Sequence, residues 1–525
     1  MAQGKPFKLT YATMFDPPEA LHRDFEAAVE RVRATLGGSH ALHIDGADRP
    51  APATFEKRSP IDTRWSLGRY AAASSTDVAD AMEAAARAFE PWRRLPAAER
   101  VAFVRRIGSL IEERVYDLGA AMAVEVGKNR MESVGEAQET AEFFRIYPDL
   151  LEQANGFDLR LPDDPLAGWA SHNRSVLKPY GVWCVISPFN FPLALSGGPL
   201  AAALVTGNTV VLKVATDTPL SGRLLADCVR DAGLPKGVFN LITGSGSALG
   251  DAILSNPHLA GITFTGSYDV GMRIYRHLSS GRYPRPAILE MGGKNAVIVT
   301  RKADLERATL GIVRSAYGLQ GQKCSALSRI YVDKRVAGEL IERLKASIAA
   351  LKVGDPTRRE NWMGPVIHER AYEQFVEYAG ALAKRGRVLA GGRQLKDGNL
   401  QHGYYCAPTL AEAGVEDALW GVEMFVPIAM LARVESNDEA MRLANRSDLG
   451  LTAGVYGSTD EVEWFLERIE AGVTYSNRPQ GATTGAWPGY QAFGGWKGSG
   501  STGKAIGSAY YLPLYMREQS QTVVD

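Results

Sequence analysis

Gly318 to Arg329 reads GLQGQKCSALSR and places one cysteine, Cys324, among small and polar residues, with no second cysteine and no histidine beside it. Two accounts fit this setting. One is a half-buried structural thiol. The other is a nucleophile whose reactivity comes from its local surroundings. Glu290 ends the apolar run PAILE and is followed by Met291-Gly292-Gly293-Lys294. A carboxylate at the end of a buried strand is expensive unless it is used or paired. It is therefore either a general base whose pKa rises through desolvation or the ion-pair partner of Lys294. Asn190 sits between Pro188 and Pro192 in ISPFNFP, where a rigid backbone would aim its amide at a developing oxyanion or simply satisfy a turn. Lys213 closes TVVLK and either reaches a ribose or phosphate or stands in solvent.

Glycine-rich turns supply the next candidates. GSGSALG (244–250) lies between a predicted strand and a predicted helix and loosely resembles a dinucleotide-binding turn. FTGS (264–267) ends another strand and opens another helix, and N–H groups at a helix start suit a phosphate. Two such turns in one parallel sheet point to a nucleotide site. GSGSTGKA (498–505) has the spacing of a phosphate-binding loop, but Ala505 stands where a magnesium-binding hydroxyl belongs and no Val/Ile strand leads into it. A glycine-rich surface turn is the better account.

These residues need elements to hold them, and the texture of the chain supplies an α/β pattern. Residues 77–155 read as helical, with apolar positions at three-to-four spacing. From about 180, short Val/Ile/Leu runs alternate with helices: GVWCVIS, TVVLKVA, VFNLITG, GITFTG and PAILEM predict a mostly parallel sheet covered on both faces. Thr218-Pro219 predicts an N-cap and first-turn proline for the helix TPLSGRLLADCVRDAG. A second β/α series starts near Lys294 and runs past 470, and the tail from 485 reads as an arm.

Length and composition agree with this picture. The chain has 525 residues, enough for two or three domains. Lys plus Arg equals Asp plus Glu at 59 each, which gives no reason to expect nucleic acid or an anionic membrane as partner. Four scattered cysteines without a CxxC pair argue against a disulfide framework and against a zinc ribbon and fit a reducing compartment, and no metal is expected. The amino terminus has no apolar run, so no signal or transit peptide is expected, and a cytoplasmic location is. No charge occurs between Lys178 and Lys213, but prolines, glycines and asparagines break that stretch into pieces too short to span a bilayer.

Taken in order, ISPFNFP, VVLK, FTGS, LEMGGK, GQKCSALSR and EMFVPI resemble the aldehyde dehydrogenase superfamily over nearly the whole chain. The resemblance implies a Rossmann-type cofactor domain, an α/β catalytic domain and a C-terminal oligomerisation arm. The boundaries it suggests are an N-terminal extension over 1–50, a cofactor domain over 51–289 with part of the arm near 155–175, a catalytic domain over 290–480, and an arm over 481–525. It further implies Cys324 as nucleophile, Asn190 as oxyanion donor and Glu290 as the base that activates water. Ile186, Ser187, Lys213, Thr216, Gly246, Gly266, Ser267, Glu423 and Phe425 would contact NAD. Thr216 stands where many NAD-preferring members carry a glutamate, so NADP use is also expected.

GQKCSALSR and NRPQGATTGAWPGYQAFGG are most similar to the 1-pyrroline-5-carboxylate dehydrogenase branch, which oxidises L-glutamate γ-semialdehyde. That carry-over assigns Ser325, Gly485 and Ala486 to the amino-acid end of the substrate. Trp487 replaces a small aliphatic residue and leaves another aliphatic or an aromatic aldehyde as the alternative. Glu132, Glu136 and Glu139 are all candidates for the branch's amine-contacting glutamate. The arm implies at least a homodimer. A cofactor-free thiol hydrolase and a catalytically silent protein of the same fold are the rival classes.

Overall fold

A computed structural model describes residues 9, 10, 13, 14, 16–479 and 487–525 of the chain. The helical region is built from segments with clear local stops. After α1 (Glu19–Ala34), helix α2 (Ser75–Arg94) starts at Ser74, whose hydroxyl and the Asp77 carboxylate form a reciprocal capping box. Helix α3 (Ala97–Glu113) follows Pro96, and α4 (Val115–Val126) stops at Gly127, which takes the left-handed φ of 85°. Helix α5 (Arg130–Gln153) is capped by Asn129, whose Oδ1 accepts from the N–H groups of Met131 and Glu132.

The charge-free stretch becomes the strand Val182–Ile186, the turn carrying Asn190, helix α6 (Ala194–Val205) and the strand Thr209–Lys213. Among the described residues no helix is long and apolar enough to cross a membrane. Helices α7 (Pro219–Asp231), α8 (Gly246–Leu254) and α9 (Tyr268–Ser279) complete the first α/β unit. The cap expected of Thr218 is not made by its side chain. Instead, the buried Glu125 carboxylate accepts from Leu220 N–H at 2.7 Å and Ser221 N–H at 2.8 Å, so a long-range acceptor outcompetes the local hydroxyl.

Five strands of the first sheet run parallel in the order Ala287–Glu290, Leu259–Thr265, Val182–Ile186, Thr209–Lys213 and Phe239–Ile242. Leu42–Ile44 and Ala47–Arg49 extend it antiparallel, so the sheet takes in residues on the amino-terminal side of position 50. Alternation along one strand fills two cores. Trp183 and Val185 pack with α3, α5 and α6, whereas Val182 and Cys184 pack with α2, α8 and α9. Chain order reverses between Val182–Ile186 and Leu259–Thr265, which leaves a crevice at their carboxyl ends.

The second seven-stranded sheet is centred on Asn295–Val299 and Leu327–Asp333, and helix α10 (Leu305–Tyr317) connects these two strands. Strands Asp158–Leu161, Ser171–Pro179 and Met516–Val524 form a separate antiparallel sheet, which joins the region near 155–175 to the chain's last strand. The GSGSTGKA stretch packs as an edge to a strand. Its residues line the edge of Ala287–Glu290: Met291 N–H donates to Ser499 O at 2.8 Å, and Ser501 N–H donates to Leu289 O at 3.1 Å.

Candidate active site

Glu290, the last residue of its strand, is buried, and the chain turns through two glycines immediately after it. The turn explains both. A Cβ at Gly292 would lie 2.1 Å from Glu423 Oε2, and a Cβ at Gly293 would lie 2.2 Å from the Cys324 carbonyl oxygen. Close backbone approach at this point therefore brings the Glu290 strand, the Glu423 carboxylate and the Cys324 loop together. Gly293 N–H donates to Glu423 Oε1 at 2.8 Å. Asn295 fastens the loop: its Nδ2 donates to the carbonyls of Cys324 (2.6 Å) and Ala326 (2.8 Å), and its Oδ1 accepts from Thr452 N–H.

The alternative reading of Glu290, an ion pair with Lys294, is not what forms. Glu290 Oε2 and Lys294 Nζ are both buried without a hydrogen-bond partner among the described residues. Burial pushes the Glu290 carboxyl well above the ordinary carboxylate range, against a donation from Gly495 N–H. Burial likewise pushes the Lys294 ammonium down to about 7, helped by Arg329 and opposed by Glu423. Cys324 is half-buried at the surface of the loop. Desolvation, then the carboxylates of Glu423 and Glu290, push its thiol up to about 12, while the N–H groups of Ser325 and Cys324 pull the other way. These N–H groups are also the donors that a tetrahedral oxyanion on this sulfur's substrate would meet.

Asn190 is buried in the turn between Val182–Ile186 and α6. Its neighbours hold the turn against the second α/β unit. The Phe189 ring meets Phe425 edge-on at 5.8 Å, and Lys128 Nζ lies 3.8 Å from the centre of the Phe191 ring. Phe425 itself takes a left-handed φ of 56°, a backbone conformation that a bulky residue adopts only where its surroundings impose it.

The crevice at the strand reversal collects the remaining candidates. Ile186 ends one strand and Ser187 follows it, with its Oγ buried without a partner among the described residues. Lys213 ends the next strand and is buried rather than solvated; burial lowers its ammonium to about 8. Thr216 donates its hydroxyl to Gly244 O at 3.2 Å. Gly246 opens α8 with free space where its Cβ would be. Gly266 is confined by the Phe264 ring, and exposed Ser267 precedes α9 without capping it through its side chain. An uncapped helix start, a second helix start with open space, a buried unpaired hydroxyl and a desolvated lysine form a donor set that fits a dinucleotide.

A model of the aldehyde dehydrogenase family matches residues 48–520. The chain belongs to the aldehyde dehydrogenase family. A 1-pyrroline-5-carboxylate dehydrogenase of Halalkalibacterium halodurans is 36% identical over 514 residues, 97% of each chain. One from a Geobacillus species is 35% identical over 528 residues, 99% of each. Among solved structures, a 1-pyrroline-5-carboxylate dehydrogenase from Thermus with bound NAD superposes with a TM-score of 0.91 at 31% identity, covering 99% of both chains.

Within this aldehyde dehydrogenase, the substrate-end candidates are partly placed. Ser325 is buried directly beside the thiol. Trp487 is buried where the described chain resumes, and its backbone N–H donates to Gln491 O at 3.1 Å. Gly485 and Ala486 lie outside the described residues. Two of the three acids on α5 prove to be engaged elsewhere. Glu132 pairs with Lys323 at 2.7 Å, and Glu136 pairs with Lys128. Asn295, Lys128 and Lys323 escaped sequence reasoning. An Asn directly after GGK and a Lys directly before the cysteine were the signals available, and neither states what it holds.

Proposed function

We propose that this protein oxidises an aldehyde to its carboxylic acid through a covalent Cys324 intermediate, with NAD as acceptor and NADP tolerated. The observation that carries the reading is the Gly292-Gly293 turn, which packs the end of the Glu290 strand against the Cys324 loop while Glu290 Oε2 stays buried without a partner among the described residues. Cys324 Sγ, as thiolate, adds to the carbonyl carbon, and the carbonyl electron pair moves onto oxygen. The Asn190 amide and the Cys324 N–H would stabilise that oxyanion. When bound, the nicotinamide supplies the two-electron acceptor. The thioester then left on Cys324 is cleaved by water, with Glu290 taking the proton. The carbon–sulfur bond breaks with its electron pair going to sulfur, the acid departs and Cys324 is released as the thiolate with which the cycle began.

Ile186, Ser187, Lys213, Thr216, Gly246, Gly266, Ser267, Glu423 and Phe425 are the proposed cofactor residues. Thr216 brings no carboxylate against a 2′-phosphate, which supports tolerance of NADP. The domain reading is an N-terminal extension over 1–50, whose strands Leu42–Ile44 and Ala47–Arg49 join the first sheet, a cofactor unit over 51–289 with part of the arm near 155–175, a catalytic unit over 290–480 and an arm over 481–525. Exposed Leu159 and Val523 on the antiparallel arm sheet, with exposed Trp169 in the connection between its first two strands, support self-association, at least as a homodimer. A cytoplasmic setting suits the four free cysteines.

The aldehyde we propose is L-glutamate γ-semialdehyde, formed by opening of 1-pyrroline-5-carboxylate. Near full-length similarity to dehydrogenases of that compound supports it. Ser325 and the segment containing Gly485 and Ala486 would hold its amino-acid end. A kinetic panel tests this: pyrroline-5-carboxylate, succinate semialdehyde, a short alkanal and benzaldehyde, each with NAD and NADP. Pyrroline-5-carboxylate with NAD should give the highest kcat/KM. If benzaldehyde or the alkanal led instead, Trp487 would be lining a different pocket and the substrate assignment would fail.

A further inference from the structure

Two carboxylates one helical turn apart on α5 reach two different loops of the proposed site. Glu132 Oε2 accepts from Leu319 N–H at 3.0 Å and Glu132 Oε1 accepts from Lys323 Nζ at 2.7 Å, so both bonds land on the segment that presents Cys324. Glu136 Oε1 accepts from the N–H groups of Leu193 (2.8 Å) and Ala194 (3.1 Å), the start of α6 just beyond Asn190. Glu136 Oε2 pairs with Lys128, whose ammonium also lies over Phe191. All four charged groups are buried.

The segment held by Glu132 needs holding. Leu319 and Gln320 take left-handed φ values of 46° and 56° in succession, ahead of Gly321 at 71°. Such backbone conformations are costly for residues other than glycine and persist only where the surroundings over-determine them. Gln320 Nε2 donates to the carbonyls of Gly127 and Pro365, and Gln322 Oε1 accepts from Ile367 N–H. At Gly318 a Cβ would lie 2.6 Å from Lys323 Nζ and 2.8 Å from Glu132 Oε1. The glycine is thus required by the ion pair.

We propose that α5 is a ruler between nucleophile and oxyanion donor: Glu132 with Lys323 sets the Cys324 loop, and Glu136 with Lys128 sets the Asn190 turn. Both pairs are positioning residues. Residues four apart lie on one face of a helix, so the rigid turn between Glu132 and Glu136 fixes the separation of the two loops. The inference rests on Cys324 being the nucleophile and Asn190 the oxyanion donor.

A crossed pair of readouts tests it. Alkylation of Cys324 by iodoacetamide needs the thiol loop but forms no oxyanion, whereas aldehyde oxidation needs both loops. In the full-length enzyme, Glu132→Gln should slow both alkylation and kcat by about tenfold to a hundredfold, with the KM for NAD unchanged. Glu136→Gln should lower kcat by about the same factor and leave the alkylation rate at the wild-type value. Glu132→Asp, which keeps the charge, should recover part of both rates. If Glu136→Gln does not fold, the paired Lys128→Met/Glu136→Gln variant removes both buried charges and should show the same split. Equal losses in both readouts for both sites, or no loss in either, would overturn the proposal. A Cys324→Ser enzyme that still oxidised aldehyde at the wild-type rate would instead overturn the reading beneath it.

Discussion

The loop that carries Cys324 and the crevice proposed for the cofactor are built on opposite plans. On the segment that presents Cys324 the named polar groups hold one another, with Asn295 on two carbonyls, Glu132 on Leu319 and Lys323, and Glu423 on Gly293, while Glu290 Oε2 and Lys294 Nζ beside it stay without a partner among the described residues. In the crevice the polar groups are left open. Ser187 Oγ is buried without a partner among the described residues, Ser267 leaves α9 uncapped by its side chain, and Gly246 faces empty space. One region spends its hydrogen-bonding capacity on geometry, the other keeps it for a ligand. A nucleophile must be held to within fractions of an ångström, whereas a dinucleotide supplies its own acceptors.

Substitutions in the two regions should therefore fail differently. The largest effect falls on the thiol itself. Cys324→Ala should lower the rate of aldehyde oxidation at least about ten-thousandfold while leaving NAD affinity, read by calorimetry, near wild type. Glu290→Gln should follow with a loss of about a hundredfold to ten-thousandfold, seen as slow release of the acid in rapid-quench experiments. Asn295→Ala orphans two buried carbonyls and one N–H. Each should cost about 1–3 kcal/mol in chemical denaturation, with kcat falling about a hundredfold or less.

Gentler probes sharpen the contrast. With burial and two carboxylates holding the thiol near 12, the cofactor-free protein carries little thiolate at neutral pH. Deprotonation rises with pH, so iodoacetamide alkylation should accelerate about tenfold per pH unit between about pH 7 and 10, without a plateau. In the crevice, Thr216→Glu restores a carboxylate against a 2′-phosphate. It should raise the KM for NADP about tenfold, leave that for NAD within about twofold and leave the alkylation profile untouched.

The same contrast explains what could be read from the sequence. The parallel strands and the small-residue turns of the crevice were legible because they obey local rules: apolar runs make strands, and small residues after them open helices. Cys324, Glu290 and Asn190 were legible through the ordered motifs around them. What holds them was not. Glu125 capping α7 in place of Thr218, Asn295 fastening the Cys324 loop and Glu132 meeting Lys323 are all long-range pairings. The partners lie 95, 29 and 191 positions apart. Helical periodicity announces only that Glu132 and Glu136 share a face, and says nothing of the loops that face them. For the same reason GSGSTGKA reads as a phosphate loop by spacing, although its serines serve as an edge to the Glu290 strand.

The central claim is that Cys324 carries the substrate as a thioester which Glu290 helps to cleave. Its most direct test is to mix Glu290→Gln with pyrroline-5-carboxylate and NAD, quench with acid within the first turnover, and analyse the peptide containing Cys324 by mass spectrometry. The account predicts that this peptide carries a γ-glutamyl group on sulfur, in near-stoichiometric amount and labile to hydroxylamine. Formation of reduced cofactor with Cys324 unmodified would contradict it.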